Sequence, residues 1–182
     1  MQVILIIVYV IVGLVILLLL IAAITKKEYQ VKREVMINRS KPDIFSFIKF
    51  LKNQDDYSKW ARMDPAMKKT YQGVDGNPGF TYGWDSEKND VGKGEQTIKE
   101  IREGDYVKYD IHFIRPFEGH AQSVLQTLAR SHNETQVNWT FNGKMKFPTN
   151  IMLLFMNMNK LVGNDLETGL QNLKHLMEKT KR

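Results

Sequence analysis

The sequence predicts an α+β domain: a curved antiparallel sheet of about seven strands closed by one long C-terminal helix, with a separate apolar helix at the N-terminus. Three observations carry this. Between Met67 and Met145 the chain alternates apolar and polar residues in short runs broken by turn residues, the period of half-buried strands in successive hairpins. Beyond Gly163, Leu166, Leu170, Leu173 and Leu176 recur at helical spacing while Asp165, Glu167, Gln171, Asn172 and Lys179 fall elsewhere, so this helix has a large surface to cover. Ahead of all this, Val3 to Ile24 is a run of 22 residues without a charged side chain.

At about 1.5 Å per residue that first run spans roughly 33 Å as a helix, enough for the hydrocarbon core. A cleaved signal peptide would show a shorter apolar core behind a basic segment, and here only Met1 and Gln2 precede the run. Lys26, Lys27, Lys32 and Arg33 follow the span and no basic residue precedes it, so residues 1–25 are expected to be a transmembrane anchor. Residues 26–182 are then a domain on the cytoplasmic side of the cell membrane, attached by a single pass. The absence of cysteine agrees with a reducing compartment without establishing it. N-x-S/T triplets at Asn38, Asn133 and Asn138 are a mild excess over chance and are discounted as glycosylation signals. The net charge of +6 belongs wholly to the domain, but basic residues are interspersed with acidic ones, which speaks against nucleic acid and for a body resting near anionic headgroups.

Within the domain, Tyr29–Asn38 alternates as a first strand. Ser40 with Pro42 offers a helix start, and Ile44, Phe45, Phe47, Ile48 and Leu51 give a short amphipathic helix. A second short helix is expected over Gln54–Trp60. Strands follow at 67–71, 80–85, 95–102, 106–113, 120–130 and 135–145. The candidate buried set is Phe80, Tyr82, Trp84, Val107, Tyr109, Ile111, Phe113, Val124, Leu128, Val137, Trp139 and Phe141. The C-terminal third reads as two helical pieces, about 150–162 and about 164–180, parted at Gly163 because glycine disfavours a helix interior and Asn164 or Asp165 can cap a new one. The first piece is apolar nearly all round (Ile151 to Met156, then Met158), so it is expected to be sandwiched on more than one side.

The segments KREVMINRSKPDIFSFI, DYSKWARMDP, VGKGEQTIKEI, IRPFEG and GNDLETGLQNLK resemble the START-like, or helix-grip (SRPBCC), superfamily, especially its bacterial polyketide cyclase/dehydrase and lipid-transport-like branch. They are spread over the chain from about Val31 to Glu178. The resemblance implies a cavity between sheet and terminal helix that binds apolar small molecules or lipids in many members and catalyses in a minority.

Catalytic signatures are absent: there is no cysteine, G-x-S-x-G, H-E-x-x-H or Walker loop. The loop Gly73–Gly79 lacks the Gly-Lys-Ser/Thr ending of a phosphate cradle and reads as a turn. Of the four histidines only His112 and His120 share a neighbourhood, so no metal site or other cofactor is expected, and His112 falls on the polar side of its strand as a solvated residue. No residue is assigned a catalytic role. The expected cavity lining is Tyr82, Trp84, Tyr109, Phe113, Trp139, Met152, Phe155 and Met158; the bland alternative for these rings and methionines is an ordinary filled core. At the joint, Leu170 and Leu173 should pack on the sheet while Phe155 and Met158 line the opening beside Trp84 and Tyr109. The expected function is a membrane-anchored module holding a hydrophobic small molecule or lipid. The alternatives are an enzyme of cyclase or dehydratase type, disfavoured because the inward strand positions carry no Asp, Glu, His or Lys, and a filled-core interaction domain.

Overall fold

The computed structural model describes residues 2–179; Met1 of the expected anchor and residues 180–182 of the expected domain and terminal helix lie outside the described residues. In chain order the elements are α1 (Gln2–Ile24), β1 (Glu28–Ile37), α2 (Lys41–Ile48), α3 (Gln54–Tyr57), α4 (Lys59–Arg62), β2 (Lys68–Gln72), β3 (Thr81–Asp85), β4 (Lys93–Arg102), β5 (Tyr106–Arg115), β6 (Gly119–Ser131), β7 (Glu134–Lys144) and α5 (Met158–Lys179), with 3₁₀ turns at Leu51–Asn53 and Thr149–Leu154. The seven strands form one antiparallel sheet in the order β1-β7-β6-β5-β4-β3-β2, and α5 lies across it. This is the helix-grip arrangement. Register shifts between Lys93 and Gly94 and between Ile98 and Glu100 mark irregularities in the β4–β5 pair, of the kind that bends a sheet.

The core is one contiguous cluster. Leu166, Leu170 and Leu173 of α5 are buried against Val31, Val35 and Ile37 of β1 and the inward residues of β5 and β7. From the other flank, α2 contributes Ile44, Phe45 and Ile48; its first turn is capped by Ser40, whose hydroxyl accepts from the Asp43 N–H at 3.3 Å, and Pro42 sits where no N–H is needed.

Four local features depart from the sequence expectation. The terminal helix is unbroken at Gly163: α5 begins at Met158 and runs through it. A Cβ there would meet the end of the Arg33 side chain, which would have to shift from its present place. That guanidinium donates to the Asn159 backbone O at 2.7 Å and to its Oδ1 at 2.9 Å, tying β1 to the first turn of the helix. Second, residues 149–154 form a 3₁₀ turn, not a sandwiched helix: Met152, Leu154 and Phe155 are exposed. The turn packs on the C-terminal end of α1, where the buried Asn150 amide donates to the carbonyls of Ala22 at 2.7 Å and Thr25 at 3.0 Å. Third, β6 has the opposite parity. Val124 and Leu128 are half-buried on the far face, and Ala121, Ser123, Leu125 and Thr127 face the core. Two hydroxyls can point inward because each has a partner: Ser123 accepts from Trp139, and the Thr127 hydroxyl donates to the Gly104 or Asp105 carbonyl at 3.3 and 3.2 Å. Last, the expected second helix is split into α3 and α4 at Ser58, whose ψ of 129° is extended.

α1 is long and apolar enough to cross a membrane by length and composition, and apart from Ala22 its core-length apolar surface is not covered by the domain.

Leu173→Ala should cost about 2–5 kcal/mol, since the residue is fully buried at the helix-sheet joint. Phe155→Ala should change stability by less than about 0.5 kcal/mol, because that ring has few contacts to lose. Chemical denaturation of the two variants in one detergent checks both.

Candidate ligand cavity

A cavity of about 320 Å³ lies between the sheet and the helical layer. Its floor is Ile111, Phe113, Ser123, Trp139 and Phe141 from β5, β6 and β7, and its sides are Tyr82 and Trp84 of β3, Gln54 and Asp55 of α3, and Trp60 of α4. Val162 of α5 touches it from above. Asp90, Arg115, Pro116 and Phe117, from the β3–β4 and β5–β6 connections, stand at its mouth.

The rings come in two linked runs. Tyr82 and Trp84 stack at 6.3 Å between centroids, and Trp84 meets Phe113 edge-on at 6.1 Å. In the other run Trp139 takes Tyr57 edge-on at 5.8 Å and Trp60 at 6.2 Å, and Trp60 continues to Phe141 at 6.4 Å. Two indole N–H groups are satisfied by the protein: Trp139 Nε1 donates to Ser123 Oγ at 2.8 Å and Trp84 Nε1 to the Val91 carbonyl at 3.3 Å. These indoles therefore present apolar faces to the void and need no polar partner from a ligand.

Of the eight residues expected to line a cavity, Tyr82, Trp84, Phe113 and Trp139 line this one. Tyr109 does not. Its ring is fully buried and its hydroxyl donates to the Ile48 carbonyl at 3.2 Å, which makes it a strut between sheet and α2. Met152 and Phe155 are at the surface in the 3₁₀ turn and beyond it, and Met158 is half-buried against the core at the start of α5. Neither Phe155 nor Met158 lines the opening, because the helix starts at Met158 and the apolar segment before it turns toward α1.

Sequence parity of the strands could not reveal the acidic group. The Asp55 carboxylate arrives on α3, takes Lys69 in a 2.8 Å ion pair, and accepts from the Tyr82 hydroxyl at 3.4 Å. Burial, and then the neighbouring Asp55 charge, push the Tyr82 hydroxyl well above its ordinary range, so it stays a proton donor. Trp60 and Asp55 both come from the helical segment around DYSKW, one of the stretches carrying the family resemblance, and there lay the available signal.

A second cluster sits on the opposite face. His112 and His120 pair across β5 and β6 with rings stacked at 4.4 Å, and His112 has Glu95 at 3.7 Å on Nδ1 and Glu118 at 3.8 Å on Nε2. His112 is thus half-buried between a ring and two carboxylates, where sequence parity expected a solvated side chain. The ligand atoms of His112, Glu118 and His120 lie within 4.8 Å of one another. Where the sequence reading expected no metal site, these three side chains are grouped closely enough to be candidate metal ligands.

No protein-family profile matches this chain. No curated protein is significantly similar to it. Solved structures are similar in fold. The protein XoxI from Bacillus cereus aligns over 84% of this chain and 98% of its own at 15% identity, with a TM-score of 0.61. Norcoclaurine synthase from Thalictrum flavum, solved with dopamine and hydroxybenzaldehyde, aligns over 90% and 93% at 10% identity with a TM-score of 0.60. The di-domain ARO/CYC StfQ of the steffimycin biosynthetic pathway aligns over 84% of this chain and 51% of its own at 10% identity, TM-score 0.59. The fold shared with these is the Bet v1-like, or SRPBCC, fold, as the segments quoted from the sequence imply.

Ser123→Ala should cost about 1–3 kcal/mol, because it strands the buried indole N–H of Trp139. Ser123→Thr, which keeps an acceptor, should cost less. Thermal unfolding monitored by tryptophan fluorescence compares them.

Proposed function

We propose that this protein is a membrane-anchored binding module that holds a hydrophobic small molecule or lipid in the cavity between sheet and α5, with α1 as the anchor and the domain on the cytoplasmic side. The observation that carries this is the cavity itself. At about 320 Å³ it falls at the lower end of small-molecule sites, its walls are mostly rings and aliphatic groups, and a few polar groups (Asp55, Gln54, Gln96) sit among them to orient a ligand. A filled-core interaction domain would leave no such space. The norcoclaurine synthase structure, which contains dopamine and hydroxybenzaldehyde, supports the same class of occupant: a small, largely aromatic molecule.

A second reading, a cyclase or dehydratase acting on a hydrophobic substrate, is favoured by one observation. Asp55 and the Tyr82 hydroxyl are an acceptor and a donor at the cavity wall, with Lys69 paired to the carboxylate at 2.8 Å. Two such groups suit proton transfer, and they equally suit recognition of one polar end of a ligand.

The full chain, released gently from membrane, should carry a small-molecule or lipid mass in native mass spectrometry and bind an apolar fluorescent probe saturably. Ala61→Trp, at a half-buried position on the cavity wall, should abolish probe binding while the variant still unfolds cooperatively. Unsaturable binding by the parent protein would sink the carrier reading. Asp55→Asn separates the two readings: a carrier keeps probe affinity within a few-fold, whereas an enzyme loses turnover of any substrate identified from the bound mass. For the orientation, protease added to right-side-out vesicles should leave the domain intact, and digestion without permeabilisation would reverse the topology.

A further inference from the structure

Antiparallel pairing brings a particular set of residues to one end of the sheet. There β1 begins at Glu28, β7 ends at Lys144, β5 ends at Arg115 and β6 begins at Gly119, since Glu28 pairs with Lys144, Lys144 with His120, and Phe113 with Gly119. The mouth of the cavity is at this end, between Arg115–Phe117, Asp90 and Val162. Six of the domain's exposed large apolar side chains are at this end, Phe117 and Phe155, each 82% exposed, with Leu154, Leu161, Phe147 and Met152, while Phe50, Tyr71 and Val74 are exposed elsewhere. α1 leaves from the same end. Only Thr25 to Lys27 separate its last turn from β1, and Asn150 bonds its carbonyls directly.

We infer that this apolar rim is immersed in the bilayer that α1 crosses, so that the cavity opens to the lipid and not to bulk water. The inference rests on the anchored-carrier reading above and names where the ligand enters. Three residues of chain reach at most about 10 Å, and the headgroup layer is several Å thick on each side of the core, so the rim cannot stand clear of the membrane once α1 spans it. Six large apolar side chains are exposed at this end of the domain, the kind of patch that soluble surfaces avoid, and one of them, Phe117, also lines the cavity. The charges fit the same partner. Lys26, Lys27, Lys146 and Lys160 are exposed at this end and form no ion pair among the described residues, while Glu28 is taken by Lys144 and Asp85 by Lys93 and Arg115. Free lysines beside an apolar rim suit anionic headgroups around buried acyl chains.

The chain has no cysteine, so single-cysteine variants can be labelled cleanly. Full-length Phe117→Cys and Phe155→Cys, each carrying an environment-sensitive fluorophore, are placed in vesicles of phosphatidylcholine and phosphatidylglycerol, with and without brominated acyl chains. Ile11→Cys in α1 is the immersed reference and Asn133→Cys in the β6–β7 turn, at the far end of the sheet, the dry one. Labels at 117 and 155 should lose most of their emission to brominated lipid, as the label at 11 does, and the label at 133 should lose little. Rim labels as insensitive as 133, with 11 quenched, would overturn the immersion while leaving the anchor standing. Failure of 11 itself would overturn both. Rim emission that ignores bromine but falls as protein-to-lipid ratio rises would mean a second copy covers the rim, which also overturns it. Apolar-probe titration of the unlabelled protein is read separately: rim quenching without saturable probe binding supports the docking and removes only the carrier reading.

Discussion

The structure depends on one close approach, that of α5 to the sheet at Gly169. A Cβ there would sit 2.6 Å from the Trp139 ring, so only glycine lets the helix backbone come down onto the indole. Leu166, Leu170 and Leu173 flank this point and are buried to 1% exposure or less. Trp139 is then held by Gly169 above, Ser123 at its N–H, and Tyr57 and Trp60 edge-on, and its remaining surface lines the cavity. The leucine stripe ends one turn C-terminal to Val162, the residue of α5 that lines the cavity.

The inward hydroxyls of β6 each have a structural partner, whereas the buried Tyr57 hydroxyl and Gln54 amide nitrogen have none among the described residues. Ser123 serves Trp139, and Thr127 serves the β4–β5 turn. On the outer face Gln136 bridges Arg130, Glu34 and Asn138, so a buried amide there is also satisfied. Asp55 is different. It faces the cavity side of α3 with Lys69 and the Tyr82 hydroxyl, outside the sheet's own hydrogen-bond economy, which is why it stands out as a group that could meet a ligand.

The sheet was legible because period-2 alternation and turn residues are local signals, and the observed strands match the expected ones to within two residues at most ends. What could not be read was anything set by tertiary contact. Gly163 looked like a helix break because local propensity disfavours glycine, yet the end of the Arg33 side chain, 130 residues earlier in the chain, lies against it. The parity of β6 was misread because Val124 and Leu128 are the more apolar set, and the partners that let Ser123 and Thr127 turn inward are not neighbours in sequence. Tyr82, Trp84, Phe113 and Trp139 fall on the cavity wall because they lie on strands whose parity was clear. Tyr109 shares that parity but is covered by α2, and Met152, Phe155 and Met158 depend on where a helix begins.

The two ends of the sheet differ in a way that packing alone does not require. At the far end the β4–β5 and β6–β7 turns, Glu103-Gly104-Asp105 and His132-Asn133, are short and polar, as hairpin turns in water usually are, and the longer β2–β3 connection exposes only Val74 among its large apolar residues. At the near end the connections carry Phe117, Phe147, Leu154 and Phe155 outward. None of these side chains contributes to the core cluster, so folding does not account for them. Each exposed ring costs solubility without stabilising the domain, roughly 25 cal/mol for every Å² left in water. That cost disappears if the surface meets lipid, and the helix that would bring it there departs from the same edge. A cavity mouth beside Phe117, at the end of the domain where those side chains are exposed, is then placed where an apolar molecule could pass from bilayer to cavity without crossing water.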